Sequence, residues 1–453
     1  MDCNSGYLFF VGSKNALVLP IFCGFLLRLA LPMFAWIHVG NPHCFWFPDS
    51  DSYVAPALQL AAGHGFLNSS GTPELFRTPG YPLLLVPGAW LDAVEGVGVG
   101  LQIVLGTLMI PLVASMVGRL RLPASLRLAA WWQAIDPLSI VLGATLLSET
   151  LFTFVVALAL WVLLEKRDAR TPVGGLLVGF AILVRPAGLY LPLFLTPVLL
   201  RFRGWKWAMV FLVCSYVLPA SWVIRNATLG TPIFSVSSTE LLDCYYRPAI
   251  VAQTTDSSYY AQRIQMGCLD GTAGKVTLAE RDRRSRQAVL RHPGAFASVQ
   301  LKGFLRAMGD PGLFDAFKIS GEYPQGGGLL GVASDKGIGA AVAILWHTHR
   351  FLVVTSMAGF LLLVLFYAMS LGGLWQVWRE RKNLNGAGIF LLLAALFYFL
   401  IFSCGPQAEA RFRLPAVPIL AILTAGIFLK KRLAWQRGAP ATAHTSRKGG
   451  PPF

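Results

Sequence analysis

The stretch "FPDSDSYVAPALQLAAGHGF" (47–66) follows an apolar run at 16–38 and sets two acids, Asp49 and Asp51, and the aromatic hydroxyl of Tyr53 directly after it. An apolar run of that length crosses a bilayer core, which takes about 20 residues per helix. The chain therefore leaves a membrane onto a loop whose side chains carry chemistry. What those acids meet depends on which other segments return to the same face.

The composition agrees with a membrane origin. A soluble domain carries roughly 25% charged residues. This chain of 453 residues carries 13%, with 30 Phe and 13 Trp and a mean hydropathy of +0.59. The net charge of +16 does not point to nucleic acid. Much of the Lys and Arg sits in short clusters between apolar segments, and no basic face is interleaved with stacking aromatics. The seven cysteines show no CxxC spacing and no His pattern, so no metal site is expected. The first apolar stretch lacks a small-residue cleavage site and reads as an anchor.

Candidate spans fall at about 16–38, 97–117, 128–148, 150–164, 173–184, 187–200, 207–224, 351–375, 386–404 and 414–429. The Pro-rich run 79–91 is too short to span and reads as an interfacial or half-membrane element. With a cytoplasmic N-terminus, Lys14, "GRLRLPASLR" (118–127), "EKRDAR" (165–170), "RFRGWK" (201–206), "WRERKN" (378–383) and "KKRLAWQR" (430–437) all lie inside, as the positive-inside rule requires. The opposite face receives 39–78, the turns at Glu149 and Arg185, the polar segment 225–350, and "GPQAEARFR" (405–413). The expected fold class is an all-α polytopic membrane protein with about 10–12 transmembrane helices. Its organisation reads as an N-terminal transmembrane module 1–224 with a first extracytoplasmic loop 39–96 carrying interfacial helices. A loop domain 225–350, C-terminal helices 351–430 and a disordered cytoplasmic tail 431–453 follow. Within 225–350 an amphipathic helix is expected over 280–308, broken at "HPG". Cys244 and Cys268 either pair, if that region is extracytoplasmic, or remain two thiols.

This topology gathers Asp49, Asp51, His64, Arg77, Glu149, Arg185, Arg225, Arg411 and Arg413 on one face, several at the edge of an apolar span. A charge at a helix centre costs about 2.5–3.5 kcal/mol, so such residues face a cavity or a partner. Acids there suit a base and polar anchors, and arginines suit a phosphate. Each has a plainer alternative: a solvated loop for Asp49, Asp51 and His64, a headgroup anchor for Arg77, and a helix cap for Glu149 with Ser148.

The stretch 48–66, followed by "FRTPGYPLLL" (76–85), resembles the first extracytoplasmic loop of the GT-C membrane glycosyltransferases. The closest branch is the glycosyltransferase family 39-like one, that of protein O-mannosyltransferases and lipid A aminoarabinose transferases. "DPLSIVLGATLLSETLFT" (136–153), "GGLLVGFAILVRPAGLYLP" (174–192), "LPASWVIRNATLGTPIFS" (218–235), "HPGAFASVQLKGFL" (292–305) and "ARFRLPAVPIL" (410–420) fit in the same order. The resemblance implies a GT-C fold and an inverting transfer of a sugar from a polyprenyl-phosphate donor to a lipid, glycan or protein hydroxyl. It implies a catalytic carboxylate at Asp49 or Asp51, since the usual Asp-Glu pair is here Asp-Ser-Asp. Tyr53, His64, Arg77, Glu149, Arg185, Arg225, Arg411 and Arg413 become the substrate-binding candidates. No cofactor and no metal are required, the partners are membrane lipids, donor and acceptor, and nucleic acid is excluded. The implied location is a bacterial inner membrane with the site facing the periplasm. A flippase of lipid-linked glycans, and a polysaccharide polymerase or O-antigen ligase, are the competing readings.

Overall fold

A computed structural model describes residues 8–428, apart from 123–125, 166, 270–273, 275, 322–338, 341–342, 344–345, 348–349, 382–383 and 403. The tail 431–453 and the Gly-rich run 323–331 lie outside the described residues. Among the described residues there is no β-strand; the one extended pairing is an isolated bridge between Leu67 and Pro73.

The chain is an all-α polytopic membrane protein. Among the described residues, segments 16–39, 94–119, 205–228, 353–379 and 410–427 are long and apolar enough to cross a bilayer. They belong to α1 (Leu8–Val39), α4 (Val94–Arg119), α10 (Trp205–Thr228), α17 (Arg350–Arg379) and the run Ala410–Phe428, which contains α19 (Val417–Thr424). Between them lie α7 (Glu149–Leu164), α8 (Thr171–Val184), α9 (Leu191–Arg203) and α18 (Gly386–Phe402). The 410–428 run and α7 are buried at the centre, whereas α1, α10 and α17 expose Phe22, Ile37, Val213, Ile224, Leu361 and Leu371. Apolar side chains left outward in this way belong against lipid. Gly175 and Gly179 of α8 let α10 come close: a Cβ at either would sit 2.8 Å from a carbonyl oxygen of Phe211 or Ser215.

One expected span is corrected. Residues 128–148 are not one helix but two, α5 (Leu126–Ile135) and α6 (Pro137–Gly143). The reason is local: Asp136 caps α6 by accepting from the Ser139 amide at 2.7 Å, and Pro137 brings no N–H to continue α5. The break strands the last carbonyls of α5 in an apolar layer. Arg28 of α1, fully buried, donates to the carbonyls of Gln133 at 2.8 Å and Ala134 at 2.9 Å. Gly106 of α4 makes room for its guanidinium, since a Cβ there would lie 2.8 Å from Arg28 Nε.

The loop after α1 holds the 3-10 turn Pro42–Phe45, α2 (Asp51–Ala61) and α3 (Gly80–Trp90); α2 and α3 pack together. The region after α10 is helical too: α11 (Val236–Leu241), a π-helical turn Leu242–Tyr246, α12 (Arg247–Thr254), α13 (Tyr259–Gln265), α14 (Leu278–Arg291), α15 (Pro293–Gly309) and α16 (Phe314–Ile319). The amphipathic helix expected over 280–308 is α14 and α15, meeting at His292. Cys244 and Cys268 form a disulfide beside the buried Arg281–Asp243 ion pair.

Candidate active site

Asp49 sits in the turn just before α2. Ser50, fully buried, fixes that turn: its hydroxyl accepts from the Phe47 amide at 2.8 Å and donates to the Leu146 carbonyl at 3.0 Å. The loop is thereby tied to the segment that precedes α7. Asp49 is left with its two carboxylate oxygens facing two arginines from distant parts of the chain. Oδ1 accepts from Arg77 Nη2 at 2.8 Å, and Oδ2 from Arg411 Nη1 at 2.8 Å. Burial pushes the Asp49 carboxyl upward, but the charges of Arg77 and Arg411 and their hydrogen bonds win, and it lies below the usual carboxylate range.

Arg77 reaches this place because Glu74 accepts from its backbone amide at 3.0 Å, turning the chain just ahead of α3. Its side chain also donates to Ser52 Oγ at 2.7 Å and to Tyr53 Oη at 3.0 Å, and its guanidinium lies 4.3 Å from the Tyr53 ring centre. The start of α3 abuts the end of α8 at Gly80, where a Cβ would lie 2.6 Å from the Val184 nitrogen. That contact brings Arg77 and Arg185 to the same corner.

Arg185 follows α8 in an extended conformation imposed before Pro186. It approaches Glu149 Oε1 at 2.5 Å and donates to Ser148 Oγ at 3.4 Å. Glu149 opens α7 and is 2% exposed, so its charge sits at the positive end of a helix. Ser148 precedes α7 but makes no capping bond with its side chain; its hydroxyl instead pairs with Tyr53 Oη at 3.1 Å. Arg411 completes the ring: its Nη1 lies 3.8 Å from Glu149 Oε1 and its Nε 3.1 Å from Glu409 Oε2. Phe412 has Arg185 and Arg411 at 5.3 Å and 5.4 Å from its ring centre.

Six sequence candidates thus converge: Asp49, Tyr53, Arg77, Glu149, Arg185 and Arg411. Four stand apart. Asp51 begins α2, exposed and without an ion pair among the described residues. His64 is exposed and bonds Gln59 at 3.0 Å. Arg225 donates to the carbonyls of Glu74 at 2.7 Å and Phe66 at 3.2 Å, bracing the loop that bears Arg77. Arg413 is buried and donates to the carbonyls of Ala307 at 2.7 Å and Asp310 at 2.8 Å. Sequence reasoning did not assign Ser50, Ser52 or Glu409 to the site. A serine two places from an acid carries no signal of its own.

Arg77, Arg185 and Arg411 bring three guanidiniums together around Asp49 and Glu149, with Glu409 beside Arg411. Both Asp49 oxygens are held by guanidiniums, and Asp51 lies exposed at the start of α2. The ring suits an anion with several oxygens, such as a phosphate.

No protein-family model matches the chain, and no curated protein matches it. Among solved structures it is similar to the archaeal oligosaccharyltransferase AglB from Archaeoglobus fulgidus in complex with an inhibitory peptide and a dolichol-phosphate. That likeness has 13% identity and a TM-score of 0.47, covering 98% of this chain and 53% of the other. It is also similar to ArnT from Cupriavidus metallidurans bound to undecaprenyl phosphate, at 15% identity and a TM-score of 0.39, covering 89% of this chain and 75% of that one. The chain spans about half the length of the oligosaccharyltransferase, 53%.

Proposed function

We propose that the protein is a GT-C glycosyltransferase of the family 39-like kind, transferring a sugar from a polyprenyl-phosphate donor to a hydroxyl of a lipid, glycan or protein at the extracytoplasmic face of a bacterial inner membrane. The observation that carries this reading is the ring of Asp49, Arg77, Glu149, Arg185 and Arg411, drawn from separate loops to the edge of the apolar helices. An anion bearing a lipid tail would reach such a ring from within the bilayer, its tail beside the exposed apolar helices. The Cys244–Cys268 disulfide supports an extracytoplasmic placement, because disulfides persist in oxidising compartments.

In the proposed reaction the arginines hold the donor phosphate and stabilise it as it departs. Charge stabilisation of this kind is worth about 10²–10³ in rate per donor group. The acceptor oxygen attacks the anomeric carbon from the opposite side, which inverts that carbon, and a carboxylate of the site takes the acceptor's proton. Of the two acids the sequence nominates, Asp49 is the one within the ring.

The test is transfer by the full chain in nanodiscs, offered a panel of polyprenyl-phosphate sugars with a lipid and glycan extract of the source cell. Transfer that disappears with Asp49→Asn, while undecaprenyl phosphate still binds, is the expected result. Movement of lipid-linked glycan between leaflets without any transfer would replace this reading with a flippase.

A further inference from the structure

Arg411 stands on the loop 404–413, between α18 and α19. Both ends of that loop are fastened to α15. At its start, the Tyr246 hydroxyl lies 2.9 Å from the Cys404 carbonyl and 2.9 Å from Gln300 Oε1 of α15. Arg306 of α15 donates to the Pro406 carbonyl at 3.2 Å. At its end, Arg413 donates to the carbonyls of Ala307 and Asp310. Arg411 lies between these points and reaches Asp49 at 2.8 Å.

The start of the loop is fitted to its surroundings at main-chain level. Gly405 has a φ of 147°, and a Cβ on it would lie 2.5 Å from Tyr246 Oη. A Cβ on Gly303 of α15 would lie 2.5 Å from the Gly405 nitrogen. The chain at Gly405 is thus pressed between the phenol and α15, with no room for a side chain on either glycine. A phenol has one proton to give. Donated to the Cys404 carbonyl, it leaves the phenol oxygen to accept from the Gln300 amide, turned with its NH2 inward.

Tyr246 is itself held from behind. It is buried, its ring centre is 5.7 Å from that of Phe296, and it closes the π-helical turn Leu242–Tyr246. Such turns are rare and recur at functional sites. Asp243 of the turn accepts from Arg247 Nε at 2.8 Å and Arg281 Nε at 2.7 Å, and Cys244 is bonded to Cys268. Ion pairs and a covalent bond therefore fix the phenol, and the phenol fixes the loop. Arg77 and Arg185 flank the contact of α3 with α8 at Gly80. Arg411 comes from a 3-10 stretch, Ala410–Ala416, whose place depends on what holds 404–413. A group that meets a phosphate must be held to about 0.5 Å.

With the ring read as the site of the donor phosphate, we propose that Tyr246 is a positioning residue for Arg411. By bonding the Cys404 carbonyl and closing against Gly405, it sets how far the loop carries the guanidinium toward the phosphate. Tyr246 acts on the lipid only through Arg411, so its effect vanishes when Arg411 has no guanidinium.

The experiment is a double-mutant cycle on the full chain in nanodiscs, with undecaprenyl phosphate binding as the readout and transfer measured alongside. Substitutions that act independently add in such a cycle, and a shortfall measures their coupling. Tyr246→Phe should weaken lipid binding about 2–30-fold in the wild-type background and weaken it no further in the Arg411→Ala background. Its effect on the thermal midpoint should be the same in both. Arg306→Met, at an exposed position, should weaken binding less and also fall silent with Arg411→Ala; it decides the matter if Tyr246→Phe does not fold. Equal weakening of binding in both backgrounds would overturn the proposal and make Tyr246 a part of the fold alone. No weakening in the wild-type background would overturn it too. Undecaprenyl phosphate bound equally by the wild type and Arg411→Ala, or by neither, would remove the phosphate reading of the ring and this proposal with it. The expected cycle in a wild type that transfers nothing would refute glycosyl transfer and support the latch.

Discussion

The broken helix around Asp136 and the ring around Asp49 are made of the same materials: an acid, arginines and the ends of short helices. They spend them differently. At the break, Arg28 gives its hydrogen bonds to main-chain carbonyls that have no other partner. At the ring, Arg77, Arg185 and Arg411 give theirs to carboxylates and hydroxyls on other loops. A carbonyl at a helix end cannot leave, so an arginine that satisfies it is committed to the fold. A carboxylate or hydroxyl beside solvent can be exchanged for the oxygens of a phosphate. Charge does not distinguish Arg28 from the ring arginines, and burial does so only in degree; the kind of acceptor does.

The largest expected effect tests the structural half. Arg28→Met keeps an unbranched apolar stem and removes the donors, stranding the carbonyls of Gln133 and Ala134 in an apolar layer. Each buried acceptor left alone costs about 1–3 kcal/mol, enough together to remove much of a typical protein's stability. Thermal unfolding in detergent should show a large drop in midpoint. A midpoint within a degree of the wild type would mean that water or a lipid headgroup reaches the break.

The second effect tests the functional half. Arg411→Ala leaves Asp49 with Arg77 alone and Glu149 with Arg185 alone, so the pairing in the ring survives in part. The midpoint should change little, since partly exposed ion pairs contribute about 0–1 kcal/mol. Turnover should fall about 10²–10³-fold. Unfolding without a specific loss of turnover would place Arg411 with Arg28.

The sequence made some of this contrast legible. Apolar run lengths and basic clusters set the helices on a topology that brings Asp49, Arg77, Glu149, Arg185 and Arg411 to one face, and the structure draws these five together. The break at Asp136 was written in "DP", but an apolar window averages over two residues and reads through them. Arg225 and Arg413 could not be told from Arg411, because hydropathy and charge record that an arginine is present and not which atoms accept its protons.

The smallest expected effect sharpens the contrast within one turn of helix, where Arg411 and Arg413 stand two residues apart. Arg413 bonds its carbonyls through a single nitrogen, Nη1, at 2.7 Å to Ala307 and 2.8 Å to Asp310. A lysine ammonium offers three donors from one nitrogen and can reproduce that pattern. Arg411 donates from Nη1 to Asp49 while its guanidinium also lies 3.1 Å from Glu409 and 3.8 Å from Glu149, a spread of contacts that a single ammonium cannot cover. Arg413→Lys should therefore cost about 1 kcal/mol of stability and leave turnover near the wild-type value. Arg411→Lys should remain folded and lose most of its turnover. Measuring both variants in one transfer assay, with midpoints from the same preparations, compares the two arginines directly. Equal losses of turnover at the two positions would mean that Arg413 also acts on substrate, and that the kind of acceptor does not separate the two roles.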